Sequence, residues 1–124
     1  MTLVLDTGAL IAVERAQRST LAVIEAARRQ QREIVVPAGV VAQAWRGGPR
    51  QARLARFLGA RGATVEALTE AGARAAGAVC GLAGTADVVD ASVVVAARRH
   101  GAIVLTSDRA DLEVLDRDIA VLDC

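Results

Sequence analysis

Two apolar runs in this chain end in carboxylates. Thr2-Leu3-Val4-Leu5 leads into Asp6, and Ala102-Ile103-Val104-Leu105 leads into Thr106-Ser107-Asp108. If both runs are strands of one parallel sheet, ligands bind beyond their carboxyl ends, where the strand order reverses, and both acids face one crevice. A third acid, Asp90, opens the helical stretch that feeds the second run. Carboxylates gathered without basic partners repel one another, and a hard divalent cation such as Mg²⁺ or Mn²⁺ relieves the repulsion through oxygen ligands. Each acid also has a plainer use. Asp6 could cap the helix that follows it, and Asp108 could do the same for a helix from Arg109. Asp90 suits a first helical turn, where the dipole favours negative charge. Asp87 lies one turn before Asp90, about 4.5 Å along the axis on the same face, and competes with Thr85 as N-cap. It is the coincidence of Asp6, Asp90 and Asp108 that points to a bound ion.

The elements that must position these acids follow from hydrophobic periodicity. Strands are expected at about 2–5, 33–36, 63–67, 102–105 and 119–122, and helices at about 7–15, 19–32, 38–46, 49–60, 69–83, 87–99 and 109–115. Strands that alternate with helices and are apolar at nearly every position indicate a parallel sheet covered on both faces. Pro37 suits a first helical turn, Gly47-Gly48-Pro49 separates two helices, and Gly101 after Arg98-Arg99-His100 suits a left-handed helix cap. A length of 124 residues without a linker or repeat fits a single domain, 1–124.

Taken in order, Leu3-Val4-Leu5-Asp6-Thr7-Gly8-Ala9-Leu10, Asp90-Ala91-Ser92-Val93-Val94-Val95-Ala96-Ala97 and Val104-Leu105-Thr106-Ser107-Asp108 resemble the PIN-domain family, most of all the VapC-type toxins of toxin–antitoxin pairs. The likeness spans essentially the whole chain. It implies a three-layer α/β/α fold with strand order 3-2-1-4-5 and a Mg²⁺- or Mn²⁺-dependent endoribonuclease. It also implies a cognate antitoxin that blocks the site, and a homodimer. Asp6, Asp90 and Asp108 would then hold the ion, which lowers the pKa of a bound water, neutralises the scissile phosphate of the RNA and steadies the leaving oxygen. One position departs from the family. Its second acid is normally a Glu on the helix after the second strand, and here Gln43 stands there. A Gln carbonyl can ligate a hard cation but brings no charge, so the alternative is a catalytically weakened module that acts by binding RNA or protein. A metal-dependent nuclease acting on DNA is a third reading. Asp87 could compensate for the missing charge, whereas Glu14, about 12 Å of helix beyond Asp6, should point elsewhere. Thr106 and Ser107 could orient a carboxylate or a water beside the ion.

Composition narrows the field further. The net charge of +1 gives no global basic field, so any nucleic-acid contact must be local. Every cationic side chain except the lone His100 is Arg, which fits a GC-rich coding bias and carries little functional weight. The missing Lys excludes a P-loop, and it also excludes receiver domains and haloacid-type phosphatases, which use a Lys beside their strand-end Asp. His100 at a helix end suits capping more than catalysis, and Asp111 reads as a surface residue. Trp45 reads as core or interface. Arg46, Arg50, Arg53 and Arg56 could hold RNA phosphates beside the acids, or form a solvated face. Val40, Val41, Leu54 and Phe57 could pack a dimer or seat an antitoxin. Cys80 and Cys124 match neither a disulfide framework nor a zinc spacing and read as reduced thiols. No membrane span or leader is evident, so a cytoplasmic location is expected.

Overall fold

Runs of Leu, Ile and Val form the centre of the molecule. In the structure, a computed structural model describing residues 1–124, the strands are β1 (Leu3–Leu5), β2 (Ile34–Pro37), β3 (Ala63–Glu66), β4 (Ile103–Thr106) and β5 (Val121–Asp123). The helices are α1 (Thr7–Glu14), α2 (Arg18–Arg29), α3 (Ala38–Ala44), α4 (Ala52–Gly59), α5 (Glu70–Ala83), α6 (Val88–His100) and α7 (Arg109–Leu115). All strand pairs are parallel, in the order β3-β2-β1-β4-β5 that the family resemblance implies. Successive strand residues point to opposite faces. Leu3, Val4 and Leu5 are all buried, so helices must cover β1 on both sides. The outer strands differ: β3 leaves Thr64 and Val65 exposed, and β5 leaves Leu122 and Asp123 exposed. Polar Thr64, Glu66 and Asp123 blunt these edges against pairing with another chain.

The topology sets the position of the site. From β1 the chain steps outward to β2 and β3, then returns across the sheet to lay β4 against the other side of β1. The strand order therefore reverses between β1 and β4, and a crevice opens beyond their carboxyl ends.

Helix ends account for most departures from the expected boundaries. α2 stops at Arg29 because Gln31 turns left-handed (φ 56°) and the Arg32 N–H reaches back to the Ala27 carbonyl at 2.9 Å. Ala16 (φ 55°) ends α1 in the same way, with the Gln17 N–H donating to Ala12 at 3.0 Å. Both are Schellman-type ends made without glycine. Gly101 (φ 58°) closes α6 as its position suggested. Pro37 ends β2, opposite Glu66, and stands as the N-cap of α3 rather than within its first turn. The stretch 49–60 is a 3₁₀ turn (Pro49–Gln51) followed by α4, because the Gln51 side chain is drawn inward. Its amide donates to Glu14 and to the Ala44 carbonyl and accepts from the Arg46 and Gly47 N–H groups.

Three expectations need correction or narrowing. Val40, Leu54 and Phe57 are buried in the core and present no face to a partner, while Val41, packed against them, is partly exposed. Trp45, the C-cap of α3, is 41% exposed, which removes its core reading and leaves the interface one. His100 does not cap α6; its Nε2 lies 2.8 Å from Glu66 Oε1, a carboxylate at the end of β3. Cys80 is buried, Cys124 is partly buried, and both are free thiols. No single helix is long and apolar enough to cross a membrane.

Candidate active site

The segments that the sequence singled out meet in one open cavity of about 380 Å³ at the carboxyl ends of β1 and β4. Asp6, Asp87, Asp90, Asp108 and Asp111 line it with Thr7, Gly8, Ile11, Gln43 and Ser107. No cationic side chain is among them.

Asp6 is the most enclosed of the five, 4% exposed. It is both the N-cap of α1 and part of the cavity: Oδ1 accepts from the Ala9 N–H at 2.9 Å, and Oδ2 accepts from the buried Thr106 hydroxyl. Burial pushes the Asp6 carboxyl up from its ordinary range; the Thr106 and Ala9 donors oppose this, and Asp108 adds to it. Thr106 thereby ties two acids together, because its oxygen also accepts from the Asp108 N–H at 2.8 Å. Asp108 stands at the N-cap of α7, yet its side chain makes no capping bond, so the capping role weighed for it goes unused. The Arg109 guanidinium pairs with Asp123 at 3.2 and 2.9 Å and anchors the start of α7 to β5.

Asp87 is the N-cap of α6 and accepts from the Asp90 N–H at 3.0 Å, while Thr85 accepts from the Asp87 N–H at 3.3 Å. Asp90, half-buried in the first turn, is pushed up to about 7, first by burial and then by Asp87, Asp6 and Asp111. Asp111 is raised mainly by contact with Asp108. Three helices begin at this cavity, and their N-terminal dipoles offset only part of the accumulated negative charge. Gln43, at the family's second acidic position, also lines the cavity, with its Oε1 accepting from the Thr7 hydroxyl at 2.5 Å.

The donor set is all oxygen, largely anionic and short of cations, which suits a hard divalent ion by type and by charge. As the side chains stand, no three of them are arranged to share one ion. Holding one would require the carboxylates to turn toward one another.

Thr7, Gly8, Ile11 and Asp111 line the cavity without having been singled out in sequence, and two of them are instructive. Asp111 follows Asp108 by one helical turn, as Asp90 follows Asp87, so the repeated Asp-x-x-Asp spacing was the available signal. Gly8 is required by a close approach: a Cβ there would lie 1.9 Å from Ser107 Oγ and 3.1 Å from Ser107 Cβ. Only the folded chain reveals that contact. Glu14 points away, toward Gln51, as expected. None of Arg46, Arg50, Arg53 and Arg56 lines the cavity; Arg46 bonds the Ala42 and Trp45 carbonyls and Arg53 the Glu14 carbonyl.

An α/β domain with an acidic cavity at the reversal of its strand order defines the class. A PIN-domain family model matches residues 3–117, and the chain belongs to the PIN-domain family. Members of this family are generally nucleases and usually use divalent metals. Among solved structures, the chain is similar over its full length to 99% of a chain in the crystal structure of VapBC2 from Rickettsia felis bound to a DNA fragment from their promoter, with TM-score 0.75 and 14% identity. It is similar over 98% of its length to 94% of a chain of FitAB bound to an IR36 DNA fragment (TM-score 0.69, 15% identity). A third match, FitAcB from Neisseria gonorrhoeae, covers 98% of this chain and 96% of that one (TM-score 0.65, 16% identity). At these identities the likeness speaks for the fold alone. A comparison with curated protein sequences gives no significant match.

Proposed function

We propose that this protein is a divalent-cation-dependent endoribonuclease, the toxin of a toxin–antitoxin pair. One observation carries the reading: five aspartates from three distant segments line a single cavity that has no cationic side chain in its wall. Asp6, Asp90 and Asp108 are the residues that would hold Mg²⁺ or Mn²⁺, with Asp87 and Asp111 adding negative potential. Once bound, such an ion supplies charge neutralisation at the scissile phosphate and a more acidic water. The chain's own part is positional. Thr106 fixes Asp6 and, through the Asp108 N–H, the start of α7. The raised Asp90 carboxyl, at about 7, can exchange a proton near neutrality when no cation is bound. Gly8 keeps the approach to Asp6 free of side-chain bulk.

An antitoxin partner is part of this reading. The fold neighbours are VapBC and FitAB assemblies, and a cavity rich in aspartate is complementary to a basic side chain supplied by an inhibitor. A homodimer and a cytoplasmic location belong to the same proposal. Cleavage of a structured RNA by the purified chain with Mn²⁺ or Mg²⁺, compared with Asp6→Asn and with a DNA strand of the same sequence, tests it. Loss of RNA cleavage in the variant supports the scheme; undiminished cleavage rejects it, and a preference for DNA replaces RNA as the substrate.

Gln43 favours a second reading, a weakened enzyme that works mainly by binding. Its carbonyl is neutral and already bonded to Thr7. Gln43→Glu separates the two: a large gain in cation affinity and cleavage marks a weakened nuclease, whereas no gain means that Asp87 or Asp111 supplies the charge or that binding is the function.

A further inference from the structure

A second cavity, of about 410 Å³, opens at the opposite edge of the sheet, where β2 and β3 begin. Arg28, Gln31, Arg32, Glu33, Arg61 and Gly62 line it. Two chain segments meet there, joined by the Ile34 N–H donating to the Gly62 carbonyl at 3.2 Å. One segment leaves α2, and its left-handed Gln31 turns Arg32 back beside Arg28. The other links α4 to β3 and contributes Arg61.

Three guanidinium groups therefore share this space with one carboxylate, Glu33, and none of the three is ion-paired. The C-terminal dipole of α2 accounts for cations at Arg28 and Arg29 in its last turn. It does not account for Arg61, which comes from another segment. The dipole favours a charge at Arg28 but supplies no acceptor for its Nε and Nη2, which are buried without a hydrogen-bond partner. That guanidinium lies over the Phe57 ring at 5.4 Å from its centroid, which holds its plane in place before any ligand arrives. Like charges brought together, one of them rigid and short of acceptors, call for a multiply charged oxyanion, and guanidinium forks match phosphate oxygens in pairs.

We propose that Arg28, Arg32 and Arg61 form a phosphate-binding site at the N-terminal edge of the sheet, taking a phosphate group that is either free or carried on an RNA strand. The site is separate from the acidic cavity and does not rest on the nuclease reading. Four residues of strand, about 13 Å, separate the two edges.

The test is titration of the full chain with inorganic phosphate and, separately, with a hexauridylate strand, in EDTA so that no cation-dependent cleavage intervenes. Arginine Nε–H signals are followed by NMR in the wild-type chain and in the Arg32→Gln/Arg61→Gln double variant, whose fold is checked by an unchanged urea midpoint. Saturable shifts at Arg28, Arg32 and Arg61, with affinity falling about tenfold or more in the double variant, support the site. Comparable saturation by phosphate and by the strand identifies the phosphate group alone as the ligand. Tighter strand binding, with a salt slope that falls by about 0.7 for each arginine removed, identifies the RNA backbone. No saturable shift with either ligand, or wild-type affinity in the double variant, overturns the proposal.

Discussion

The two edges of one sheet carry opposite charge and hold it differently. At the carboxyl ends of the strands, five aspartates surround a cavity with no cationic side chain; at the amino ends, three arginines surround a cavity with one glutamate. In a parallel α/β fold the returning helices place their positive ends at the first edge and their negative ends at the second, so both charge choices follow the dipoles. The excess at each edge goes further than the dipoles require. At the acidic edge Asp6 is buried and Asp90 half-buried, and the electrostatics are unfavourable: burial raises Asp6, and burial with neighbouring acids drives Asp90 to about 7. At the arginine edge Arg28 and Arg32 are partly enclosed, Arg28 alone is fixed by an aromatic ring, and Arg61 is exposed. A net charge of +1 thus conceals a molecule with two opposed poles.

The largest expected effect that would sharpen this contrast is at Asp6. Asp6→Asn should lower RNA cleavage by about a thousandfold, given the several kcal/mol of charge stabilisation that a held cation supplies, with the urea midpoint unchanged or raised. Arg32→Gln at the other pole should leave the cleavage of a dinucleotide untouched. Equal losses from the two substitutions would break the distinction.

Next is Thr106→Val, which removes the donor to Asp6 and the acceptor for the Asp108 N–H at a fully buried position. Stability should fall by about 1–3 kcal/mol in urea unfolding. Gly8→Ala should cost about 1 kcal/mol and reduce cleavage, because even with the Ser107 hydroxyl turned away the Ser107 Cβ remains at 3.1 Å. Ser107→Gly in the same chain should restore most of both.

A pH series reads the stored repulsion directly. In the folded, metal-free protein Asp90 keeps its proton up to about 7, whereas the unfolded chain releases it near the ordinary value of 3.8. Between these values the unfolded state binds fewer protons, so stability should decline as pH rises from 3.8 to about 7 and then level off. Because Asp90 is only half-buried, solvent screening keeps the decline shallow. Asp90→Asn should flatten it, and a slope unchanged in that variant would place the repulsion elsewhere. The smallest effect is at Gln31, where glycine would relieve a left-handed residue and stabilise the protein by up to about 1 kcal/mol.

The sequence carried much of the fold because each strand is apolar at nearly every position and the breakers between elements are strong. Asp6, Asp90 and Asp108 were legible because a strand end or helix start is a local pattern. Thr106 could be named as a helper, but its double contact, linking Asp6 to the Asp108 backbone, depends on how β4 lies against β1. Gly8 was unreadable because its neighbour, Ser107, is distant along the chain. The roles of Phe57 and His100 were misread for a related reason. An apolar face gives no sign of what covers it, and a helix-end histidine gives no sign that Glu66 waits on the far strand. The arginine cavity escaped notice because its parts come from helix ends and loops, where arginine is commonplace.

The sheet's order has a consequence for how the protein is made. β1 precedes both of its neighbours along the chain, with β2 the nearer, and Thr106 in β4 is 100 residues downstream of the aspartate it holds. A nascent or truncated chain that stops before β4 carries Asp6 without its Thr106 donor and lacks the Asp108 segment. It also leaves one flank of its most apolar strand bare. Assembly of the cavity therefore waits on the docking of β4, and a chain interrupted before that point is prone to aggregate through the bare strand edge.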